Sequence, residues 1–400
     1  MKWSDWLVIL CLLLTPTLAV PQTEASRSHF NRGVALQQQG DLEGARLAYE
    51  QALKLAPQRV DALANLGLVY LHLGSHEKAI ASFSQALTLQ PQLTHVRLFL
   101  GLARFRFGQF EAAQREFALV LKAQPNHPQA LHLTGLCLLK LEQLPEGIAA
   151  LEAALQANPG NLDAVYTLAT AYVGSGDIAK AEALLAGPLR NQNSAEAYLV
   201  RGSLLNAKKE AKAALQELTK AKALQEKLPT LRTQLGYAYL LLVEYEQAAS
   251  EFLTALQHNP DDFHANAYLG WLYIQEKRYP EAATRLTAAL QQKPDNSAIL
   301  YQLGQIYQVS GQSEQAAVTL ERVVKQQPDF IPAHVLLAKA YSKLKRMDDF
   351  AREQTIIRQL NEKEQENNLG TAARTEDREV TLTEFSAGLT TKPNPTRKNQ

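Results

Sequence analysis

The stretch Val60–Leu93, VDALANLGLVYLHLGSHEKAIASFSQALTLQPQL, decides the architecture of this chain. Its first half sets Leu63, Leu66, Gly67 and Tyr70 at i, i+3, i+4 and i+7, the apolar stripe of an amphipathic helix. Gly74 follows, where a left-handed residue ends a helix at little steric cost. The second half carries Ala79, Ile80, Phe83, Ala86 and Leu87, again at helical spacing, and Pro91 closes it. The unit is therefore helix, tight turn, helix, loop. A glycine inside a helix costs roughly 1 kcal/mol relative to alanine. Gly67 thus implies close packing, and its spacing predicts that it faces Ala79 across the hairpin while Ala86 meets the next unit.

The same unit recurs on both sides. A small residue returns as Gly33, Gly67, Gly101, Gly135, Ala169, Gly202, Gly236, Gly270, Gly304 and Ala338. Every interval is 34 except Ala169 to Gly202, which is 33. Prolines run in phase at Pro57, Pro91, Pro125, Pro159, Pro260, Pro294 and Pro328. The step from Pro159 to Pro260 is 101, three periods less one, so both ladders locate one deletion. A period of this length marks stacked supersecondary units sharing one elongated core. The expected fold is all-α, an α-solenoid superhelix of about ten helix-turn-helix repeats.

Tyr70, Tyr172, Tyr239, Tyr273, Tyr307 and Tyr341 share one phase of the period. Ala45, Ala79, Ala113, Ala181, Ala214, Ala248, Ala282 and Ala316 share a second, and Ala52, Ala86, Ala154, Ala221, Ala255 and Ala289 a third. With the glycine and proline ladders, this pattern closely resembles the tetratricopeptide repeat over about residues 26–360. The tryptophan that the family carries in its first helix is absent throughout, replaced by residues such as Leu63, Arg97 and Tyr198.

The pattern breaks in two places. Gly187-Pro188 falls inside the second helix of unit five, where proline removes a hydrogen bond and ends a helix early. Unit six has Lys208-Lys209-Glu210 at its turn and no proline until Pro229. A hinge near residue 190 would divide the repeats into units one to five (26–194) and units six to nine with capping helices (195–366). In the tenth unit Phe350 stands where a small alanine belongs, and the charged run Glu362–Glu366 suits a solvated cap. Residues 367–400 keep no helical period and read as a disordered tail. Within it, Val380–Phe385 alternates apolar and polar residues, a pattern open to strand-like docking.

The N-terminus differs from the rest. Lys2 precedes the apolar run Leu7–Leu14, then Thr15-Pro16 and Thr17-Leu18-Ala19 follow. That is the layout of a signal peptide over residues 1–19, cleaved after Ala19, with 20–25 as a short linker. The run is short for a permanent membrane helix, and an uncleaved anchor is the alternative. Of the two cysteines, Cys11 would leave with the signal, and Cys137 lies in the apolar stretch 136–139, as a buried inert thiol would. The expected location is the periplasm or cell envelope.

Lys plus Arg (41) and Asp plus Glu (40) leave a net charge of +1, so no basic excess favours nucleic acid as a partner. The chain holds no P-loop, no Gly-rich dinucleotide turn, no His-Glu-x-x-His and no Cys-x-x-Cys. No catalytic residue, cofactor or metal site is assigned. His95, His132 and His264 sit on separate helices, which pack about 8–10 Å apart, whereas metal ligands converge to about 2 Å. Function is then expected from surface. The family resemblance implies that first helices line a groove receiving peptides. Its inner positions fall here on Asn31, Asn65, His95, Phe99, Phe105, His132, Tyr166, Tyr237, Tyr268, Trp271, Tyr301 and Gln305, with Phe30, His72, Arg106 and Gln302 beside them. Aromatic and amide groups can hold a peptide by stacking and main-chain hydrogen bonds. The carboxylate clamp of chaperone-binding members is absent, since Phe30, Val34, His95 and Phe99 occupy its positions. The asparagine ladder of the sugar-transferase superhelix lapses after Asn31 and Asn65. An exported, non-enzymatic scaffold for protein or peptide partners is the leading expectation. A carbohydrate- or small-ligand-binding envelope protein and a cytosolic adaptor are the alternatives.

Overall fold

A computed structural model describes residues 24–367 together with Phe385. The expected signal segment 1–19, most of the expected linker and, Phe385 and the backbone of Asn367 apart, the tail lie outside the described residues. The chain divides into two compact units between Asn191 and Gln192.

The first unit holds five helical hairpins. They are Glu24–Gln38 with Leu42–Leu55 (α1, α2), Val60–His72 with His76–Leu89 (α3, α4), and Thr94–Arg106 with Phe110–Ala123 (α5, α6). Pro128–Lys140 with Leu144–Ala157 (α7, α8) and Leu162–Ser175 with Ile178–Ala186 (α9, α10) complete it. The second unit repeats the plan. Its hairpins are Ala195–Ala207 with Ala211–Leu224 (α11, α12), Leu231–Leu241 with Tyr245–His258 (α13, α14), and Phe263–Gln275 with Tyr279–Gln292 (α15, α16). Ser297–Val309 with Ser313–Gln326 (α17, α18) and Ile331–Lys343 with Met347–Asn367 (α19, α20) follow.

Each hairpin turns on one residue with positive φ. Gly40, Gly74, Gly108, Gly176 and Gly311 take φ between 73° and 82°, and Glu142, Lys209, Val243, Lys277 and Lys345 take 58° to 63°. These ten positions form a third ladder at 34 residues, again with one step of 33, from Gly176 to Lys209. The Lys208-Lys209-Glu210 sequence therefore makes the ordinary turn. The Ser75 amide donates to the Tyr70 carbonyl (2.9 Å) and the Glu210 amide to the Leu205 carbonyl (2.8 Å), so both helix ends are closed alike.

The glycine ladder allows the close approach that the spacing suggests, since a Cβ on Gly202 or Gly270 would stand 3.3 or 3.5 Å from the carbonyl of Ala214 or Ala282, the counterparts of Ala79, and it serves a second neighbour as well. Ala79 is fully buried, and a Cβ on Gly67 would stand 2.6 Å from the ring of Phe83. The glycine leaves room for a bulky side chain sixteen residues on: Tyr49 for Gly33, Phe252 for Gly236, Leu286 for Gly270, Leu320 for Gly304. The two hairpins with alanine at this place lack such a partner, since Leu185 is only half-buried and Gln354 is exposed.

Two ion pairs and one histidine–carboxylate hydrogen bond occupy the family's missing tryptophan position. Arg97 meets Glu116 at 2.9 Å, Arg232 meets Glu251 at 2.8 Å, and His334 Nδ1 meets Glu353 at 2.5 Å, each joining the two helices of one hairpin. Successive hairpins are tied by the tyrosine ladder. Tyr70, Tyr172 and Tyr341 donate to the carboxylates of Glu50 (2.7 Å), Glu152 (2.5 Å) and Glu321 (2.8 Å), each twenty residues earlier. Tyr239, Tyr273 and Tyr307 have Thr219, Leu253 and Thr287 at that spacing, with no carboxylate to accept.

Gly187-Pro188 acts as expected: α10 stops at Ala186 after 9 residues, against 14 in α8. Leu189 then folds back fully buried, its amide donating to the Leu184 carbonyl at 3.1 Å. At the other end Phe350 packs half-buried against the cluster of Leu337, Leu320 and Tyr341, while Glu362 and Lys363 of α20 are exposed.

Candidate peptide-binding face

Within each unit the first helices also touch one another in series, α3 to α5 to α7 to α9 and α11 to α13 to α15 to α17 to α19. No two second helices among the described residues come into comparable contact. The row of first helices is thus the tighter, inner row, and it carries the residues singled out from the sequence.

In the first unit those residues do not form one continuous surface. Asn31 is exposed and Asn65 is buried. Phe99 stacks on Phe83 at 6.1 Å, and Phe105 meets Phe110 edge-on at 5.4 Å, so both rings fill space between helices. His95 and His132 are half-buried, and His132 Nε2 lies 3.5 Å from Thr167 Oγ1. Tyr166 is half-buried on α9. Phe30 carries the Arg59 guanidinium 4.3 Å above its ring, a contact that turns it toward the next hairpin.

The second unit gathers its residues. Tyr237 of α13 and Tyr268 of α15 stack at 5.0 Å, and Tyr268 also stacks on Phe252 (5.7 Å) and His264 (6.1 Å). Phe263 meets His264 edge-on at 5.0 Å. One turn along from Tyr268, Trp271 meets Tyr245 at 6.3 Å. Tyr301 of α17 packs on Phe330 at 5.0 Å and accepts a hydrogen bond from Gln305 Nε2 at 3.3 Å. Gln305 also borders a cleft of about 590 Å³ with Gln308, Leu336, Lys339 and Phe350. Sequence phase placed Tyr237, Tyr268 and Trp271 on one face. It did not show that Phe252, Phe263 and His264 complete one aromatic patch around Tyr268.

Local sequence explains why α15 is held firmly. Asp262 caps it by accepting from the Ala265 amide (2.9 Å), and its other oxygen accepts from the Thr233 hydroxyl of α13 (2.7 Å). One carboxylate therefore sets both the start of α15 and its register against α13. Asn266 Nδ2 donates to the Pro260 carbonyl at 2.8 Å, fixing the preceding loop.

The face carries little charge. Burial pushes the His264 imidazole down to about 4, with Asp262 opposing and Lys293 adding to the shift. Burial lowers His95 and His132 as well. These imidazoles are neutral at pH 7. Cys137 is fully buried, and burial pushes its thiol up to about 12. Among the described residues no three His, Cys, Asp or Glu side chains converge as a metal would require. No helix of the described residues is long and apolar enough to cross a membrane.

Ten helical hairpins of one pattern, with an inner row of first helices bearing the aromatic face, define a helical-repeat scaffold. Models of the tetratricopeptide repeat match residues 30–93, 100–161 and 233–297, and residues 138–204 and 273–340. The chain belongs to the tetratricopeptide repeat family. No curated protein sequence matches it. Among solved structures, a human IFIT1 dimer with PPP-AAAA shares 16% identity over 85% of this chain and 92% of that one, with a TM-score of 0.54. PilW, a widely conserved type IV pilus biogenesis factor, shares 23% identity over 53% of this chain and 99% of that one, with a TM-score of 0.47. MamA from Desulfovibrio magneticus RS-1 shares 21% over 42% and 96%, with a TM-score of 0.41. The likeness to IFIT1 is one of fold alone.

Proposed function

We propose that the chain is a non-enzymatic scaffold whose inner face in the second unit binds peptide segments of partner proteins, and that it works in the bacterial envelope after export. The observation that carries the binding reading is the stacked group of Tyr237, Tyr268 and His264 with Trp271 one turn along, on the row of first helices. An aromatic face of low charge suits an apolar or aromatic side chain with amide backbone around it. Lys293 lies 4.7 Å above the Phe263 ring, but the net charge of +1 leaves the chain no basic excess to match phosphates. Export is supported by the layout of residues 1–19.

Benzophenone-alanine at Tyr237, compared with the same crosslinker at exposed Leu253 of α14, tests the binding face in envelope fractions. Adducts with a protein from the first position and not the second are expected. Equal labelling from both would refute the reading. N-terminal sequencing of the mature protein is expected to begin at Val20, and a start at Met1 would defeat the export assignment.

A further inference from the structure

The aromatic face of the second unit already holds a side chain that belongs to none of its helices. Phe385 is fully buried and sits in the cluster built by Phe252, Leu269, Trp271 and their neighbours. Its ring meets Tyr268 edge to face at 6.4 Å. Tyr268 is thereby stacked on Tyr237, Phe252 and His264 and capped at its edge by Phe385. The backbone at Phe385 is helical, which corrects the strand-like reading at this residue; Val380–Glu384 lie outside the described residues. Phe385 is the one aromatic residue between Asn367 and Gln400, so nothing else in that stretch offers an equivalent anchor.

A second observation falls on the same helix. Trp271 is 5% exposed, yet its Nε1–H has no acceptor. A buried indole N–H is usually bonded, and leaving it unpaired is costly. It stays unpaired with Phe385 seated, and a carbonyl of a partner segment is a group that would satisfy it.

The geometry points to a binding site centred on Tyr268 that recognises one aromatic anchor, and that the chain fills in cis with Phe385. This rests on the reading of the inner face as a peptide site and names the ligand's chemistry: a short segment bearing a single phenylalanine. It also makes the site self-occluding. A ligand tethered in cis is held at an effective concentration on the order of millimolar. A cis segment with an intrinsic Kd of roughly 100 µM would then fill the site about ten to one, and a partner would bind about tenfold more weakly than to an open site.

The test titrates a fluorescein-labelled peptide of residues 376–390 (EDREVTLTEFSAGLT) into the full chain and into its Phe385→Ala variant. The variant is expected to bind it about tenfold more tightly than the wild type, and the same peptide carrying Phe385→Ala is expected not to bind. Equal affinity of both chains would overturn occupancy in cis. Equal binding of both peptides would overturn the aromatic anchor. No binding anywhere would overturn the inference as a whole, while the crosslinking at Tyr237 still decides whether this face meets partners. Helical circular dichroism of Phe385→Ala is expected to match the wild type; a loss would show Phe385 to be core rather than ligand. A doubled mass of the wild type in sedimentation, lost in the variant, would assign Phe385 to a second copy and overturn the cis arrangement.

Discussion

Val243 holds φ at 63° in the turn between α13 and α14, with its side chain 65% exposed. A β-branched residue in the left-handed region is strained, and nothing packs over this one to compensate. Five of the ten equivalent turns use glycine. Val243→Gly removes the strain while adding some freedom to the unfolded chain. A net gain on the order of 1 kcal/mol is expected, read as a higher urea midpoint of the second unit; an unchanged or lower midpoint would show the strain to be absent. The turn at Lys209 makes a related point: the sequence there looks irregular, but the backbone is not. A left-handed position can be filled at modest cost by residues other than glycine, so composition under-reports turns of this kind.

At the scale of the element, the hairpin is defined by a void and its filler. Gly67 of α3 leaves the space that Phe83 of α4 occupies, and both are buried. Helix propensity alone says Gly67→Ala should stabilise by roughly 1 kcal/mol. Packing says the reverse, since the added Cβ would stand 2.6 Å from a fully buried ring, and overpacking costs about 1–3 kcal/mol. We expect packing to win. Gly67→Ala should lower the melting temperature of the first unit, and a rise would mean that Phe83 can shift freely. The Gly–Phe and Gly–Leu pairs at sixteen residues were open to reading in the sequence, because both partners repeat with the period. The Arg232–Glu251 and His334–Glu353 pairs were harder to see. Each stands where the family keeps one tryptophan, and the compensating carboxylate lies on the facing helix.

At the scale of the whole molecule, the division between Asn191 and Gln192 coincides with the shortest helix and with the one-residue deletion. Arg190 is exposed there, four residues after α10 ends at Ala186. We propose the joint at 187–194 as a hinge. Brief trypsin treatment is expected to make its first cut within α1–α20 after Arg190, releasing fragments with α1–α10 and α11–α20. A first cut after Lys208 or Lys209 would argue against it.

The repeat, its period, the hairpin form and the broken fifth unit were all determined by the sequence itself. Each hairpin buries the same face against the same neighbours, so selection for one packing solution writes the same residues every 34 positions. Tyr237, Tyr268 and Trp271 could be placed on one face by phase for the same reason. What those residues touch was decided by tertiary structure. Phe99 and Tyr268 are both inner-row aromatics that stack on the helix behind them, yet Tyr268 also joins Tyr237 and His264 and receives Phe385 as a fourth ring. Periodicity reports contacts between residues a fixed distance apart. The contact of Phe385 with Tyr268 spans well over a hundred residues and occurs once, so no local pattern could have recorded it.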